Sequence, residues 1–148
     1  MAKTRQNQLS VSVFLQQKQA MKTDITHLDD IKLLVDTFYG KVQNDDLIGP
    51  IFNSIINNWT PHLAKMYTFW QTVLLQEHTY YGSPFPPHAK LPVSPEHFER
   101  WLSLWRTTVD DLFEGPKADE AKWRGQAMAD MFMAKIEYFR ERNTKPLM

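Results

Sequence analysis

The chain has 148 residues, of which 43% are hydrophobic and 13% aromatic, which is enough for one domain with one well-filled core. Its 17 basic and 17 acidic side chains cancel, so charge gives no indication of a nucleic-acid partner or of an anionic membrane surface. The absence of cysteine excludes disulfides and every metal site built on thiolates.

Hydropathy along the chain indicates neither a membrane span nor a secretory signal. No apolar stretch approaches the ~20 residues that a bilayer-spanning helix needs. The apolar stretch at residues 10–15 is too short for a signal peptide and is not followed by a small-residue cleavage site. We therefore expect a cytoplasmic protein with no membrane and no nucleic acid as partner.

Residues 1–23 are rich in Gln, Lys and Ser and contain one apolar patch between Leu9 and Leu15. The apolar residues of this patch alternate, whereas the surrounding Gln and Ala favour helix, so periodicity does not decide between them. We interpret residues 1–23 as an extension, either a partly ordered tail or a short extra helix.

The first helix is predicted to begin at a cap formed by Asp24 or Thr26 and to end before Asn44. Its apolar residues recur at steps of three and four, which is typical of a helix with one buried face. The predicted buried residues are Ile31, Leu34, Val35, Phe38 and Val42.

Gly49 and Pro50 then predict a break, followed by a short apolar connector that ends near Ile55. A second long helix is predicted from about Asn58. The residues expected on its buried side are Trp59, His62, Met66, Phe69, Trp70, Val73 and Leu74.

The segment from Tyr80 to Pro95 contains one glycine and five prolines, and its helical periodicity disappears. Each proline fixes its own φ angle and restricts the residue before it, so this segment is predicted to be a stiff loop or a single short turn. A stiff loop can hold a side chain in a fixed direction.

Two further helices are predicted, the first from Pro95 to near Gly115 and the second over residues 118–142, leaving 143–148 as a tail. No strand pattern and no internal repeat occurs, so residues 24–142 are predicted to form an all-α domain. The residues expected to face inward are Phe98, Trp101, Leu102, Trp105, Val109 and Leu112 on the first, and Trp123, Ala127, Met131, Phe132, Ile136 and Phe139 on the second.

Two of the five histidines are candidates for a functional site. His27 and His78 lie in polar surroundings near helix ends, and His97 is predicted on an exposed helix side, so we interpret all three as surface residues. His62 lies on an apolar helix face and His88 in the stiff loop. Taken alone, His62 could equally be a buried core residue and His88 an ordinary turn residue rather than a ligand. The aromatic residues nearby, however, indicate that the two histidines share one flat, apolar pocket. These aromatic residues are Tyr39, Phe52, Phe69 and Trp101.

Other catalytic patterns are missing from the sequence. It has no Glu-x-x-His pairs of the di-iron bundles, no His-Glu-x-x-His, no phosphate-binding glycine loop and no Gly-x-Ser-x-Gly. The residues therefore leave two interpretations: a ligand pocket with two histidines, or a helical interaction domain whose aromatic residues are only core.

An ordered set of short motifs resembles the group III truncated haemoglobins over about residues 24–140. No single motif is specific, but their order and separations are. The motifs are Phe38-Tyr39-Gly-Lys-Val42, Leu47-Ile-Gly-Pro-Ile-Phe-Asn53, Trp59-x-x-His62, Phe69-Trp70, Tyr80-x-Gly-x-Pro84, His88-x-x-Leu-Pro92 and His97-Phe-Glu-Arg-Trp-Leu102.

The resemblance implies a two-over-two helical sandwich that holds haem b without a covalent bond. It makes His88 the proximal iron ligand and His62 a distal residue, acting as a gate or as a sixth ligand. Tyr39 and Trp101 match positions whose O–H and N–H point at the bound ligand, while Trp105 is expected to be core. The remaining residues expected at the cofactor are Phe52, Lys65, Met66, Phe69 and Tyr80.

The resemblance also implies binding of O2, NO, CO or other small ligands. Several distal hydrogen-bond donors imply slow release, which favours nitric oxide or peroxide chemistry, or sensing, over bulk transport. Such chemistry would need an external reductase, because the chain has no dinucleotide-binding fingerprint. We expect a monomer or a weak homo-oligomer.

Overall fold

The computed structural model describes residues 21–144, so most of the predicted extension and the last four residues lie outside it. Five α-helices follow one another, and residues 21–144 contain no strand, which confirms the all-α prediction. None of these helices combines the length and the apolar character needed to cross a bilayer. The helices are α1 (Leu28–Gln43), α2 (Gly49–Ile55), α3 (Trp59–Leu75), α4 (Pro95–Leu112) and α5 (Pro116–Thr144), with a 3-10 turn at Pro86–His88.

The start of α1 differs from the prediction. The residue that caps it is His27, and the carboxylate of Asp30 accepts hydrogen bonds from the backbone N–H groups of Thr26 and His27. Asp24 instead caps α5: its two carboxylate oxygens accept from the N–H groups of Lys117 at 2.9 Å and Ala118 at 2.8 Å. An aspartate can cap any helix whose first residues folding brings near it. The position of Asp24 just before α1 in the sequence was therefore misleading.

The predicted break at Gly49 and Pro50 is the start of a helix. Proline suits the first turn of a helix because the N–H that it lacks has no partner there. The α2 helix packs close to the end of α1: a Cβ added at Gly49 would lie 2.9 Å from the carbonyl oxygen of Val42. Asn53 fixes the same contact, since its side-chain amide donates to the carbonyl of Gln43 at 3.1 Å.

The helices pack around Trp105, which is fully buried as predicted for a core residue. Helix α4, which carries it, lies against both α1 and α5, and α1 lies against α3. The indole stacks on Trp70 of α3 at 4.4 Å between ring centroids and meets the edge of Phe38 of α1 at 5.0 Å. Its N–H donates to the carbonyl of Ala121 in α5 at 2.8 Å, so this one side chain of α4 contacts the other three long helices.

The inward face of α5 was predicted only in part. Phe132 and Ile136 are buried as expected, but Trp123, Met131 and Phe139 are about half exposed, and Ala127 is exposed as well. The face that packs on α4 consists mainly of small residues, because the indole of Trp105 already fills the space between the helices. These small residues are Ala118, Ala121, Gly125 and Ala129.

Two glycines in helices test this packing with one chemical change. At Gly125 an added Cβ would lie 2.7 Å from a ring carbon of Trp105, whereas at Gly40 it would meet nothing within 4 Å. We expect Gly125→Ala to lower the free energy of unfolding by about 1–3 kcal/mol through overpacking. Gly40→Ala should raise it by about 0.5–1 kcal/mol, because alanine costs less backbone entropy in a helix.

Urea unfolding followed by circular dichroism at 222 nm measures both changes. Equal effects of the two substitutions would contradict the close contact between α4 and α5.

Candidate functional site

A cavity of about 240 Å³ lies between α2, α3, α4, α5 and the loop that carries the 3-10 turn. Most of its lining is aliphatic or aromatic, and Tyr39 of α1 closes one side. The only titratable side chains at its wall, within residues 21–144, are those of Tyr39, His62, His88 and His97. A concave, mostly apolar space with a few convergent polar groups is the usual form of a small-molecule or cofactor site.

His88 is the last residue of the 3-10 turn, and its imidazole has a fixed orientation. Its Nδ1 atom lies 2.6 Å from the carbonyl oxygen of Pro84. A carbonyl can only accept, so Nδ1 carries the proton and Nε2 keeps its lone pair. Burial lowers the pKa of His88 below its ordinary value, and the bond to Pro84 opposes this only in part. The side chain is therefore a neutral imidazole with one free nitrogen.

The ring of His88 rests on an aromatic residue of α5. Its centroid is 4.7 Å from that of Phe132, with 32° between the planes. Phe85, at the start of the turn, packs against Phe132 as well, at 5.7 Å. Both sides of the turn are thus held by α5, which limits the directions that Nε2 can take.

His62, in the first turns of α3, has a buried Nε2 atom with no hydrogen-bond partner among the described residues. Its ring meets the edges of Tyr39 at 5.2 Å and Trp59 at 5.6 Å. Burial lowers its pKa, and the nearby positive charge of Lys65 lowers that pKa further. An unpaired buried nitrogen costs about 1–3 kcal/mol, so this atom is a strong sign that something else occupies the cavity.

Tyr39 is buried, and its hydroxyl makes no hydrogen bond to the described part of the chain. Burial raises its pKa above the ordinary range of tyrosine, so the hydroxyl keeps its proton and can donate. Trp101 of α4 also lines the cavity, stacked at 5.9 Å on Trp105 and edge-on at 5.4 Å to Phe38. Both donors are therefore held by packing rather than by hydrogen bonds.

The structure brings together most of the other residues predicted at the cofactor. Phe52, Met66 and Phe69 line the cavity. Lys65 is exposed on α3 and is not part of the wall, although its charge acts on His62. Tyr80 lies behind the wall, since its ring packs edge-on against Phe69 at 5.3 Å.

His97 is a cavity residue that the sequence analysis placed on the surface. Its side chain is half-buried and lines the cavity. The reason is local: its Nδ1 accepts a hydrogen bond at 2.9 Å from the N–H of Ser94, which caps α4, and this bond turns the ring inward. A serine three residues before the histidine, directly ahead of Pro95, was the signal that could have shown this.

These side chains fit haem. Neutral imidazole is a common ligand of haem iron. The cavity offers two such rings, each with a nitrogen that has no partner among residues 21–144, from two different elements of an apolar wall. The remaining lining is the kind of aromatic and aliphatic surface that a planar, largely apolar macrocycle would cover.

Comparison with known proteins gives a consistent result. A family model described as bacterial-like globin matches residues 24–135, which include every cavity residue named above. Group 3 truncated hemoglobin ctb of Campylobacter jejuni is 35% identical over 117 residues, or 76% of this chain and 92% of that protein. The crystal structure of group III truncated hemoglobin from Campylobacter jejuni matches with a TM-score of 0.72 at 34% identity, covering 78% of this chain and 95% of that one.

The unpaired nitrogen of His62 should weaken the haem-free protein. We expect His62→Leu to raise its free energy of unfolding at pH 7.5 by about 1 kcal/mol, because leucine leaves no buried polar atom without a partner. His78→Leu, at an exposed loop position, is the matched control and should change stability by less than about 0.5 kcal/mol.

His62→Leu should also reduce the loss of stability in acid. The folded protein lowers the pKa of His62, so the unfolded chain binds more protons as the pH falls below about 6.5, and stability falls with it. Urea unfolding at pH 7.5 and 5.5 measures the difference. If the free energy of unfolding falls by the same amount between pH 7.5 and 5.5 in His62→Leu as in wild type, His62 is not held neutral in the folded protein.

Proposed function

This chain belongs to the bacterial-like globin family as a truncated haemoglobin of group III, and we propose that its cavity holds haem b without a covalent bond, ligated by Nε2 of His88. Members of this family are haem globins that bind small ligands. The observation that carries the proposal is the hydrogen bond from Nδ1–H of His88 to the carbonyl of Pro84. It leaves Nε2 deprotonated and raises its basicity, as hydrogen bonds to ligating imidazoles generally do.

His62 is the distal histidine in this proposal. Its Nε2 has no hydrogen-bond partner among the described residues, so His62 can either act as a gate that swings outward or bind iron as a sixth ligand. We favour the first role, with His62 acting as a gate. Its ring contacts Tyr39 in the cavity wall and Trp59 one turn earlier on α3, and neither contact is a hydrogen bond that would oppose an outward swing.

When bound, haem supplies an iron centre at which O2, NO, CO and similar small molecules can bind and react. The protein supplies the donors around that ligand. Tyr39 keeps its proton because burial raises its pKa, and it is positioned by edge-on contacts with Phe38 and Phe52. Trp101 adds an indole N–H from α4.

Each such donor stabilises a polar ligand by roughly 1–2 kcal/mol, or about ten-fold in its release rate. Slow release favours nitric oxide oxidation, peroxide handling or sensing over bulk oxygen transport. Any turnover would require electrons from a separate reductase, because these 148 residues contain no dinucleotide-binding fingerprint. We propose cytoplasmic action as a monomer or a weak homo-oligomer.

The remaining contacts to haem follow from the wall of the cavity. Phe52, Met66 and Phe69 would cover the faces and edges of the macrocycle, and Tyr80 would support Phe69 from behind. Lys65 lies outside the cavity wall, on an exposed side of the first half of α3, where an ammonium group can reach a haem propionate that projects to solvent.

Absorption spectra of the ferric, ferrous and CO-bound protein test the proposal. We expect a Soret band in the wild type after haem supply, and its loss or displacement in His88→Ala because the iron loses its protein ligand. His78→Ala should have wild-type spectra, since this histidine is exposed and outside the cavity.

The absence of a Soret band in haem-supplied wild type would favour the other interpretation, a helical interaction domain without haem. A low-spin resting spectrum that disappears in His62→Ala would assign His62 as the sixth ligand rather than the gate.

Stopped-flow measurement of oxygen release tests the role of Tyr39. We expect Tyr39→Phe to raise the release rate about ten-fold, because phenylalanine keeps the ring and removes the donor. Tyr81→Phe is the matched control, since Tyr81 is 86% exposed. A fast release rate in the wild type that is unaltered in Tyr39→Phe would contradict slow release by distal donors.

A further inference from the structure

We propose that Arg140, near the end of α5, is a positioning residue that clamps the loop carrying His88. The proposal rests on the proposed function, because its consequence is the direction of the His88 ring toward iron. It starts from the backbone of residues 84–95, in which the five prolines cannot donate a hydrogen bond. Backbone bonds in this segment are local, such as Leu91 N–H to His88 O at 3.2 Å and Val93 N–H to Leu91 O at 2.9 Å.

The guanidinium of Arg140 supplies what this backbone lacks. Its Nη2 donates to the carbonyl of Leu91 at 2.9 Å and to that of Val93 at 2.7 Å. The two carbonyls lie either side of Pro92, so one charged group holds both. The side chains of Leu91 and Val93 line the cavity, which places the clamp directly behind its wall.

A chain of contacts connects this clamp to the ligand. Arg140 holds Leu91 through its carbonyl, and the N–H of Leu91 donates to the carbonyl of His88. On the other side of the turn, Phe85 stacks on Phe139 of α5 at 5.9 Å, and Phe132 supports the His88 ring. Aromatic contacts tolerate sliding, whereas two hydrogen bonds fix a position along the helix, so the guanidinium sets where the loop sits on α5.

Arginine suits this role better than lysine. Its guanidinium is charged at every relevant pH and presents its donors in a rigid plane, so two bonds are made at once with little loss of freedom. A lysine ammonium is compact and flexible, and it would hold the two carbonyls less firmly. The difference between the two residues provides a graded test.

The test compares Arg140→Met, Arg140→Lys and the control Arg142→Met in the haem-bound protein. Arg142 lies on the same end of α5 but stacks over the ring of Tyr138 at 4.8 Å. We expect Arg140→Met to broaden or shift the iron–histidine stretching band in the resonance Raman spectrum of the ferrous protein. It should also speed amide hydrogen exchange at Leu91 and Val93 by about five-fold or more, because the loop opens locally.

Arg140→Lys should fall between wild type and Arg140→Met in both measurements, and Arg142→Met should match wild type. Far-UV circular dichroism shows whether each variant is folded. If Arg140→Met does not fold, the stretching band and exchange rates of Arg140→Lys are compared with those of wild type instead, and a smaller effect is expected.

A stretching band and exchange rates that are the same in Arg140→Met and wild type would overturn the clamp. Faster amide hydrogen exchange at Leu91 and Val93 in Arg140→Lys than in Arg140→Met would also overturn it. Failure of the proposed function is a different result: a wild type that takes up no haem has no band to measure. The exchange of Leu91 and Val93 in the protein as purified then still tests the clamp by itself.

Discussion

The contact between four helices at the indole of Trp105 is the constraint on which the rest of the structure depends. The ring fills the space where α1, α3 and α4 meet, and its N–H satisfies a carbonyl of α5. Because an aromatic group of this size occupies the crossing, α5 must present a residue without a side chain there, which is Gly125. The packing of the helices is therefore set by one large residue and one small one.

The cavity follows from this arrangement. Helices held apart by stacked aromatic rings leave space beside Trp101, which faces the cavity while Trp105 behind it does not. The wall that results leaves Nε2 of His62 buried without a partner among the described residues, and it includes Tyr39, whose hydroxyl has no hydrogen bond to them. Such groups destabilise an empty cavity, and they favour its filling by a ligand that can use them.

Most of the fold and much of the candidate site were predictable from sequence because their signals are local. The stripe from Ile31 to Val42 and the caps at Asn58 and Ser94 lie within a few residues of the helices that they define. The prolines around His88 restrict their own backbone, so the stiff turn was predictable too. The proposed cofactor and the proposed roles of the two histidines, however, came from the resemblance of ordered motifs, since neither histidine alone distinguishes a ligand from a core residue.

The sequence by itself determined which segments are helical and which side chains are available to a haem site, because helix periodicity, capping and proline restriction act over a few residues. Only the tertiary structure decided that Asp24 caps α5, that Trp123 lies outside and Gly125 inside, and that His97 faces the cavity. It alone showed Arg140 bound to the loop of His88. Each of these depends on how helices distant in sequence approach one another, and that approach is set by the volume of the side chains between them.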